Sequence, residues 1–285
     1  MTPSRRGTLL IVAAALLWST GGIGIKAISD PPLKVAFFRS VFAAAALLVF
    51  LRPRMPRWSP VFLAALVSYA TCLTTFVIAT KWTTAANAIF LQYSGVIWVL
   101  LLSPFVLREP LRRRDAAAIA VALGGMALFF VGKFHAGGAG DAMALLSGVF
   151  FAGLVLSLRS QREGGAEAAV TYGNVLACAA LFPFVAGDLS LTGRSAAILA
   201  FLGFFQLAGA YFLFVRGLRY VTATQASLIG MLEPVSNPIW VFLFLGERPS
   251  VYAIAGGLVV LGAVAWTTLG GPAPAAAASS VAPPD

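Results

Sequence analysis

One carboxylate stands in the middle of a stretch that is apolar enough to cross a lipid bilayer. Glu233 lies about halfway along residues 222–245, and Asn237 follows one helical turn later. A carboxylate at the bilayer centre costs ~3 kcal/mol on insertion scales, while each surrounding Leu, Ile, Phe or Val returns ~0.3–0.6 kcal/mol. Such an acid must face protein or water. It could bind a ligand ammonium, carry a proton, or form a structural hydrogen bond with a neighbouring helix.

Other polar and aromatic residues lie well inside further apolar stretches and could complete a binding cavity. A small amphipathic ligand needs apolar or aromatic walls, and its charged groups need carboxylates, amides or hydroxyls. The candidates for substrate contact are Trp18, Tyr69, Gln92, Tyr93, Trp98, Gln206, Tyr211, Glu233 and Asn237. The alternative for the aromatic residues is packing, and the amides could simply hold helices together.

Two prolines beside the acid predict a hinge. Pro234 and Pro238 each remove a backbone donor and bend a helix, and they lie about one turn apart.

Arg39 is a charged residue inside another apolar stretch, but it lies only a turn or two from the start of that stretch at Leu33. Long cations near helix ends commonly extend to the interface, so we expect Arg39 to reach the outer membrane surface.

Composition identifies the elements that must position these residues as membrane-spanning helices. The 285 residues are 60% hydrophobic and 11% charged, with a mean hydropathy of +0.90, far outside the range of soluble domains. Apolar runs long enough for one crossing predict ten transmembrane helices in an all-α, polytopic fold around a central cavity. They cover residues 8–28, 33–51, 59–80, 84–107, 115–132, 139–158, 168–187, 195–215, 222–245 and 250–269.

The charges indicate orientation rather than nucleic-acid binding. The net charge of +10 is scattered among short loops and forms no basic stripe with interleaved aromatics. Lys and Arg favour the loops that face inward if both termini are cytoplasmic, and the stretch LREPLRRRD at 107–115 is the most basic. The expected partners are therefore membrane lipid and a small-molecule substrate, without nucleic acid.

No pattern typical of an enzyme, a metal site or a cofactor site occurs. Cys72 and Cys178 both fall inside predicted helices, and His135 stands without partners at metal-ligand spacing. There is no G-x-S-x-G or H-E-x-x-H motif, so we expect neither catalysis nor a cofactor.

The chain contains a weak internal duplication. With a shift of 138 residues, Thr84 falls on Thr222 and Glu109 falls on Glu247. A unit of five crossings is odd, so the second copy must enter the membrane inverted, and the basic loops change sides as this requires. We predict one five-helix repeat in residues 1–136, an inverted repeat in 137–270, and a disordered cytoplasmic tail at 271–285.

These features together resemble the ten-helix, EamA-type exporters of the drug/metabolite transporter superfamily. The resemblance rests on the polar break at Trp18, on LREP after the fourth helix and on LEP inside the ninth, and it covers about residues 7–270. One departure is that the first copy has Tyr93-Ser94-Gly95-Val96 where the second has Met231-Leu232-Glu233-Pro234, so a symmetric two-acid mechanism is in doubt.

Within that superfamily the chain looks most like bacterial aromatic amino-acid exporters. The resemblance implies a secondary transporter of the bacterial inner membrane that exports small amphipathic metabolites, aromatic amino acids first, by alternating access. A broad-specificity drug or amine exporter, or another metabolite carrier, is the alternative. Proton-linked and facilitated transport both stay open, and two halves in one chain favour a functional monomer.

Overall fold

The computed structural model describes residues 2–56, 58–128, 131, 138–245 and 250–269, without the side chains of residues 237, 238, 241, 244, 245 and 269. The predictions for the tail at 271–285, for His135 and for the side chains of Asn237 and Pro238 lie outside the described residues.

Helices occur at all ten predicted positions. The first five are α1 (Pro3–Trp18 and Gly21–Lys26), α2 (Pro32–Leu51), α3 (Pro60–Trp82), α4 (Ala85–Gln92 and Gly95–Val106) and α5 (Arg113–Leu128). The others are α6 (Ala139–Ser160), α7 (Ala166–Val185), α8 (Gly193–Gly217), α9 (Ala223–Gly230 and Leu232–Leu245) and α10 (Val251–Leu269). The described residues of all except α5 and α9 form spans that are long and apolar enough to cross a bilayer, although α1 and α4 each contain a break. The fold is that of an all-helical, polytopic membrane protein.

Local chemistry sets where several helices begin. The hydroxyl groups of Thr2, Ser59, Thr84, Thr192 and Thr222 each accept a hydrogen bond from the backbone N–H three residues later. These bonds satisfy donors that a helix leaves free at its N-terminus. Since Thr84 and Thr222 coincide under the 138-residue shift, α4 and α9 begin in the same way.

Helix packing repeats between the two halves of the chain. α1 packs on α8 and α9 as α6 packs on α3 and α4, and α2 packs on α8 as α7 packs on α3. The pairs α2–α7, α4–α9 and α5–α10 join equivalent helices. Each of these contacts maps onto another when α1–α5 are exchanged with α6–α10, as two related five-helix units would require. The unit boundaries remain predictions, because residues 132–137 lie outside the described part.

A close backbone approach joins α5 to α10. A Cβ atom added at Gly125 would lie 2.9 Å from the carbonyl oxygen of Gly256 and 2.9 Å from a methyl carbon of Val259. The same atom added at the neighbouring Gly124 would meet nothing within 4 Å. Only one of the two adjacent glycines is therefore required by packing.

We expect Gly125→Ala to destabilise the protein by about 1–3 kcal/mol, because the added methyl group overpacks the α5–α10 contact. Gly124→Ala is the matched control, and we expect it to be neutral or to stabilise by up to ~1 kcal/mol through helix propensity. Thermal unfolding in detergent measures both. Equal effects at the two positions would contradict this packing.

Candidate functional site

Two hydroxyl groups support a break in the last third of α1. Between its two parts, Ser19 donates to the carbonyl of Leu16 at 2.6 Å and Thr20 donates to that of Leu17 at 2.7 Å. The indole N–H of Trp240 on α9 donates to Ser19 Oγ at 2.7 Å. The polar groups at the break are thus bonded within protein, as the absence of water from a bilayer core demands.

α4 and α9 break at positions that coincide under the 138-residue shift, and one tyrosine links the two breaks. Pro234 has no N–H, so the carbonyl of Gly230, four residues earlier, loses its helical donor. The hydroxyl of Tyr93, at the α4 break, lies 2.5 Å from that carbonyl oxygen and 3.0 Å from Glu233 Oε2. The first half of the chain therefore supplies the hydrogen bond that the proline in the second half removes.

α8 contains a π-helical stretch, Leu202–Gly209, which presents Gln206 to the bundle interior. Such wide turns are frequent at functional sites. Gln206 Oε1 accepts from the guanidinium of Arg39 at 2.6 Å, and Gln206 Nε2 donates to the carbonyl of Trp18 at 3.4 Å. Gln206 thus joins α8 to α2 and to the end of the first part of α1.

These side chains enclose a cavity at the centre of the bundle. The cavity is lined by Trp18, Arg39, Leu73, Phe76, Gln92, Phe151, Gln206, Leu207, Tyr211 and Glu233. Its volume is only about 30 Å³, whereas small-molecule sites typically hold ~300–1,000 Å³. The structure is therefore a closed state, which must open before a metabolite can enter.

Aromatic rings form one wall of this cavity. The Tyr211 ring lies 5.0 Å from that of Trp18 and 4.8 Å from that of Tyr69, both in edge-to-face geometry. Tyr69 is fully buried behind Tyr211, and its hydroxyl accepts from Asn174 at 2.8 Å. Tyr69 therefore supports the wall from a second layer.

Gln92 lines the cavity and also ties three helices together. Its Nε2 donates to Ser147 Oγ at 2.8 Å, and Ser147 donates to the carbonyl of Cys72 at 3.0 Å. Part of its polarity is therefore already used to hold α4, α6 and α3 in place.

The structure brings together most of the predicted site. Trp18, Gln92, Gln206, Tyr211 and Glu233 line the cavity, while Tyr69 and Tyr93 lie directly behind it. Trp98 does not belong with them, because its side chain is 45% exposed on the outside of the bundle and is absent from the lining. Its interior position along the helix indicated depth, but depth alone did not specify which face of α4 it occupies.

The expectation for Arg39 was wrong. Arg39 is 1% exposed and points into the central cavity instead of extending to the membrane surface. It lies seven residues after the first residue of α2, about 10 Å along the helix axis. Gln206 on the facing π-stretch offers it an interior partner. Phe76 and Phe151 were also missed, since aromatic residues in an apolar helix look like ordinary packing.

Lysines close one end of the bundle, called here the lysine end. Lys34 Nζ lies 2.8 Å from Asp188 and 3.3 Å from Asp30, so it joins the α1–α2 and α7–α8 loops. Hydrogen bonds from Lys34 and Ser190 lower the pKa of Asp188 to about 2, and this carboxylate stays charged at physiological pH. Lys26 donates to the carbonyl of Thr83 at 2.7 Å.

Arginines close the opposite end, called here the arginine end. Arg159 is 4% exposed, and its Nε lies 2.6 Å from Glu109 Oε1. The same guanidinium donates to the carbonyl of Leu218, and Glu109 Oε2 accepts from the N–H of Ala223, where α9 starts, at 2.9 Å. One buried ion pair thus ties α6 to the start of α9 and to the α4–α5 loop.

A bundle of broken, membrane-spanning helices around a closed polar cavity is the architecture of a membrane transporter. The chain belongs to the EamA-like transporter family, whose model matches it twice, at residues 5–131 and 138–269. It is accordingly a transporter rather than an enzyme.

Known relatives extend over nearly the full length of the chain. An uncharacterized transporter of Archaeoglobus fulgidus is 25% identical over 92% of this chain and 97% of its own. The pseudopaline exporter CntI of Pseudomonas aeruginosa is 28% identical over 90% of this chain and 94% of its own. The uncharacterized transporter YwfM of Bacillus subtilis is 30% identical over 90% of this chain and 91% of its own. A crystal structure with a TM-score of 0.79 and 18% identity covers 92% of this chain and 96% of its own, so the two share a fold.

We expect Tyr93→Phe to destabilise the protein by about 1–3 kcal/mol, because it leaves the buried Gly230 carbonyl without a donor. In a Pro234→Ala background the new N–H of residue 234 can bond to that carbonyl. The cost of Tyr93→Phe should then fall by at least ~0.5 kcal/mol. Thermal unfolding of the four variants in this double-mutant cycle measures the coupling, and Tyr172→Phe, whose hydroxyl lies 3.3 Å from the Pro53 carbonyl, is the control. Strict additivity would contradict the link.

We expect Glu109→Ala to lower the free energy of opening of the arginine end by about 3 kcal/mol, because the substitution leaves the buried Arg159 without its carboxylate. Hydrogen exchange at residues 218–226 should accelerate, while exchange at the lysine end should not change. Glu163→Ala is the matched control, since its carboxylate is 88% exposed and lies 3.7 Å from Arg162. Unchanged exchange in Glu109→Ala would show that this ion pair does not hold the end closed.

Proposed function

We propose that this protein exports small amphipathic metabolites, aromatic amino acids first among them, across the bacterial inner membrane by alternating access. The observation that carries the proposal is the closed central cavity, where a buried carboxylate faces aromatic walls between two closed ends. The family membership and the exporter-named relative support export of a small metabolite.

Glu233 would bind a positively charged group of the substrate. It is 8% exposed and lines the cavity, and among the described lining residues it is the only acid. A substrate ammonium would lie beside this carboxylate, and the rings of Trp18, Phe76, Phe151 and Tyr211 would enclose an aromatic side chain.

The break in α9 provides the movement that access requires. Pro234 removes one helical hydrogen bond and Pro238 removes another a turn later, so the second part of α9 can bend relative to the first. Such bending would displace Glu233 and would compete with the bond between Tyr93 and Gly230. We therefore assign the hinge to Pro234 and Pro238.

Proton coupling fits the same hydrogen-bond geometry. The Tyr93 hydroxyl has one proton but two neighbouring acceptors, the Gly230 carbonyl and Glu233 Oε2. A protonated Glu233 would donate to the Tyr93 hydroxyl oxygen while Tyr93 donates to the Gly230 carbonyl, so each of the two contacts would contain one proton. Facilitated transport without a proton is the alternative.

A broad-specificity amine exporter is the second candidate function. It is favoured by Glu233, whose carboxylate would accept any organic cation that fits between the aromatic rings. In either case, the distribution of Lys and Arg favours both termini in the cytoplasm. The arginine end would then face inward and the lysine end outward, and one chain with both halves would work as a monomer.

We expect purified protein in proteoliposomes to move labelled phenylalanine, tryptophan or tyrosine. Glu233→Gln should reduce the rate at least about tenfold, because a charge-assisted bond of ~1.5–3 kcal/mol is lost, and Glu163→Gln should not reduce it. The Pro234→Ala, Pro238→Ala double variant should slow transport if α9 bends there. If the protein transports another solute but none of these three amino acids, the proposed aromatic substrates are rejected and the proposed carrier function stands. Rates with and without a pH gradient separate proton-linked from facilitated transport.

A further inference from the structure

Arg39 differs from the other buried cations that the structure describes. Lys34 and Arg159 are also buried, but each lies within 4 Å of a carboxylate. Arg39 has no such partner among the described residues. Its described hydrogen bond goes to the neutral Gln206 Oε1, and its buried Nε has no hydrogen-bond partner.

This arrangement is unfavourable unless an anion joins it. A guanidinium carries five N–H donors in a planar fork that matches both oxygens of a carboxylate. A neutral amide satisfies one donor and leaves the buried Nε without a partner, and Glu233 in the same cavity acts on Arg39 only at a distance, so the buried guanidinium keeps unused donors, which is costly. A residue that served only to hold α2 against α8 would not need a charge.

Arg39 and Glu233 line the same cavity without forming an ion pair with each other. We infer that Arg39 binds the carboxylate of the transported solute while Glu233 binds its ammonium, so that the site selects α-amino acid zwitterions over amines and over carboxylic acids. This inference rests on the proposed function and narrows its substrate class. An amine would leave Arg39 unmatched and bring a second positive charge near it, and a carboxylic acid would do the same to Glu233.

The test compares ligands that share a side chain but differ in charge. Phenylalanine, phenethylamine and 3-phenylpropionate form one triplet, and leucine, 3-methylbutylamine and 4-methylpentanoate form a second. Each compound is measured by thermal stabilisation of the wild-type protein and by competition for transport in proteoliposomes. We expect each amino acid to act at concentrations at least about tenfold lower than its amine or acid. Equal potency of phenethylamine and phenylalanine would overturn the inference while leaving an amine exporter in place.

The variants show whether Arg39 is the source of this preference. In Arg39→Gln, the concentrations at which phenylalanine and phenethylamine act should become nearly equal. Arg39→Lys should retain part of the wild-type preference for phenylalanine. Arg194→Gln, the same substitution at an exposed position at the start of α8, should keep the wild-type ratio. If Arg39 had a purely structural role, Arg39→Gln would weaken the binding of all three ligands equally and leave their ratio unchanged. That result would refute the assignment. If Arg39→Gln does not fold, the ratios of the wild type and of Arg39→Lys decide.

The two triplets separate the failure of this inference from that of the proposed function. A preference for leucine over its amine, without a response to phenylalanine, would support the role of Arg39 and reject the aromatic specificity. If the protein transports only amines, the proposed carrier function stands and the role of Arg39 in binding a carboxylate is rejected. No response to either triplet, in protein that carries another solute, would reject both proposals.

Discussion

The hydrocarbon interior of a bilayer offers no water, so every polar group that a helix break releases must be bonded by the protein itself or by water in a cavity. Pro234 releases the Gly230 carbonyl, and Tyr93 bonds to it from the opposite half of the chain, 137 residues away. The same tyrosine contacts Glu233. This contact joins the breaks of α4 and α9, and with them the two halves of the chain, beside the acid.

The cavity follows from these breaks. Where α1, α4, α8 and α9 depart from regular geometry, the side chains of Trp18, Gln206 and Glu233 meet in a space of about 30 Å³. The two ends are closed by different means. Arg159 and Glu109 form a largely buried pair, whereas Asp188 at the lysine end is 67% exposed and its pair with Lys34 is screened by solvent. The ion pair at the arginine end is therefore less screened by solvent than the pair at the lysine end.

Hydropathy and residue spacing predicted much of the fold and part of the site. The ten apolar stretches, the break at Trp18 and the inward-facing Glu233 all follow from the cost of polar groups in lipid. Arg39 was assigned wrongly because its short distance from the helix start permits two outcomes, the membrane surface or the bundle interior. Trp98 was assigned wrongly because its position in the sequence gives depth, while the rotation of α4 about its axis decides what the ring faces.

The sequence by itself determined that this protein is a polytopic helical membrane protein with an acid inside an apolar helix, because composition and local spacing control insertion into a bilayer. Only the tertiary structure decided which polar groups meet. The bonds Tyr93–Gly230 and Arg39–Gln206 join different helices, and the bond Arg159–Glu109 joins a helix to a distant loop. Their formation depends on how each helix is rotated and which neighbour it packs against, and no spacing within a single helix specifies that.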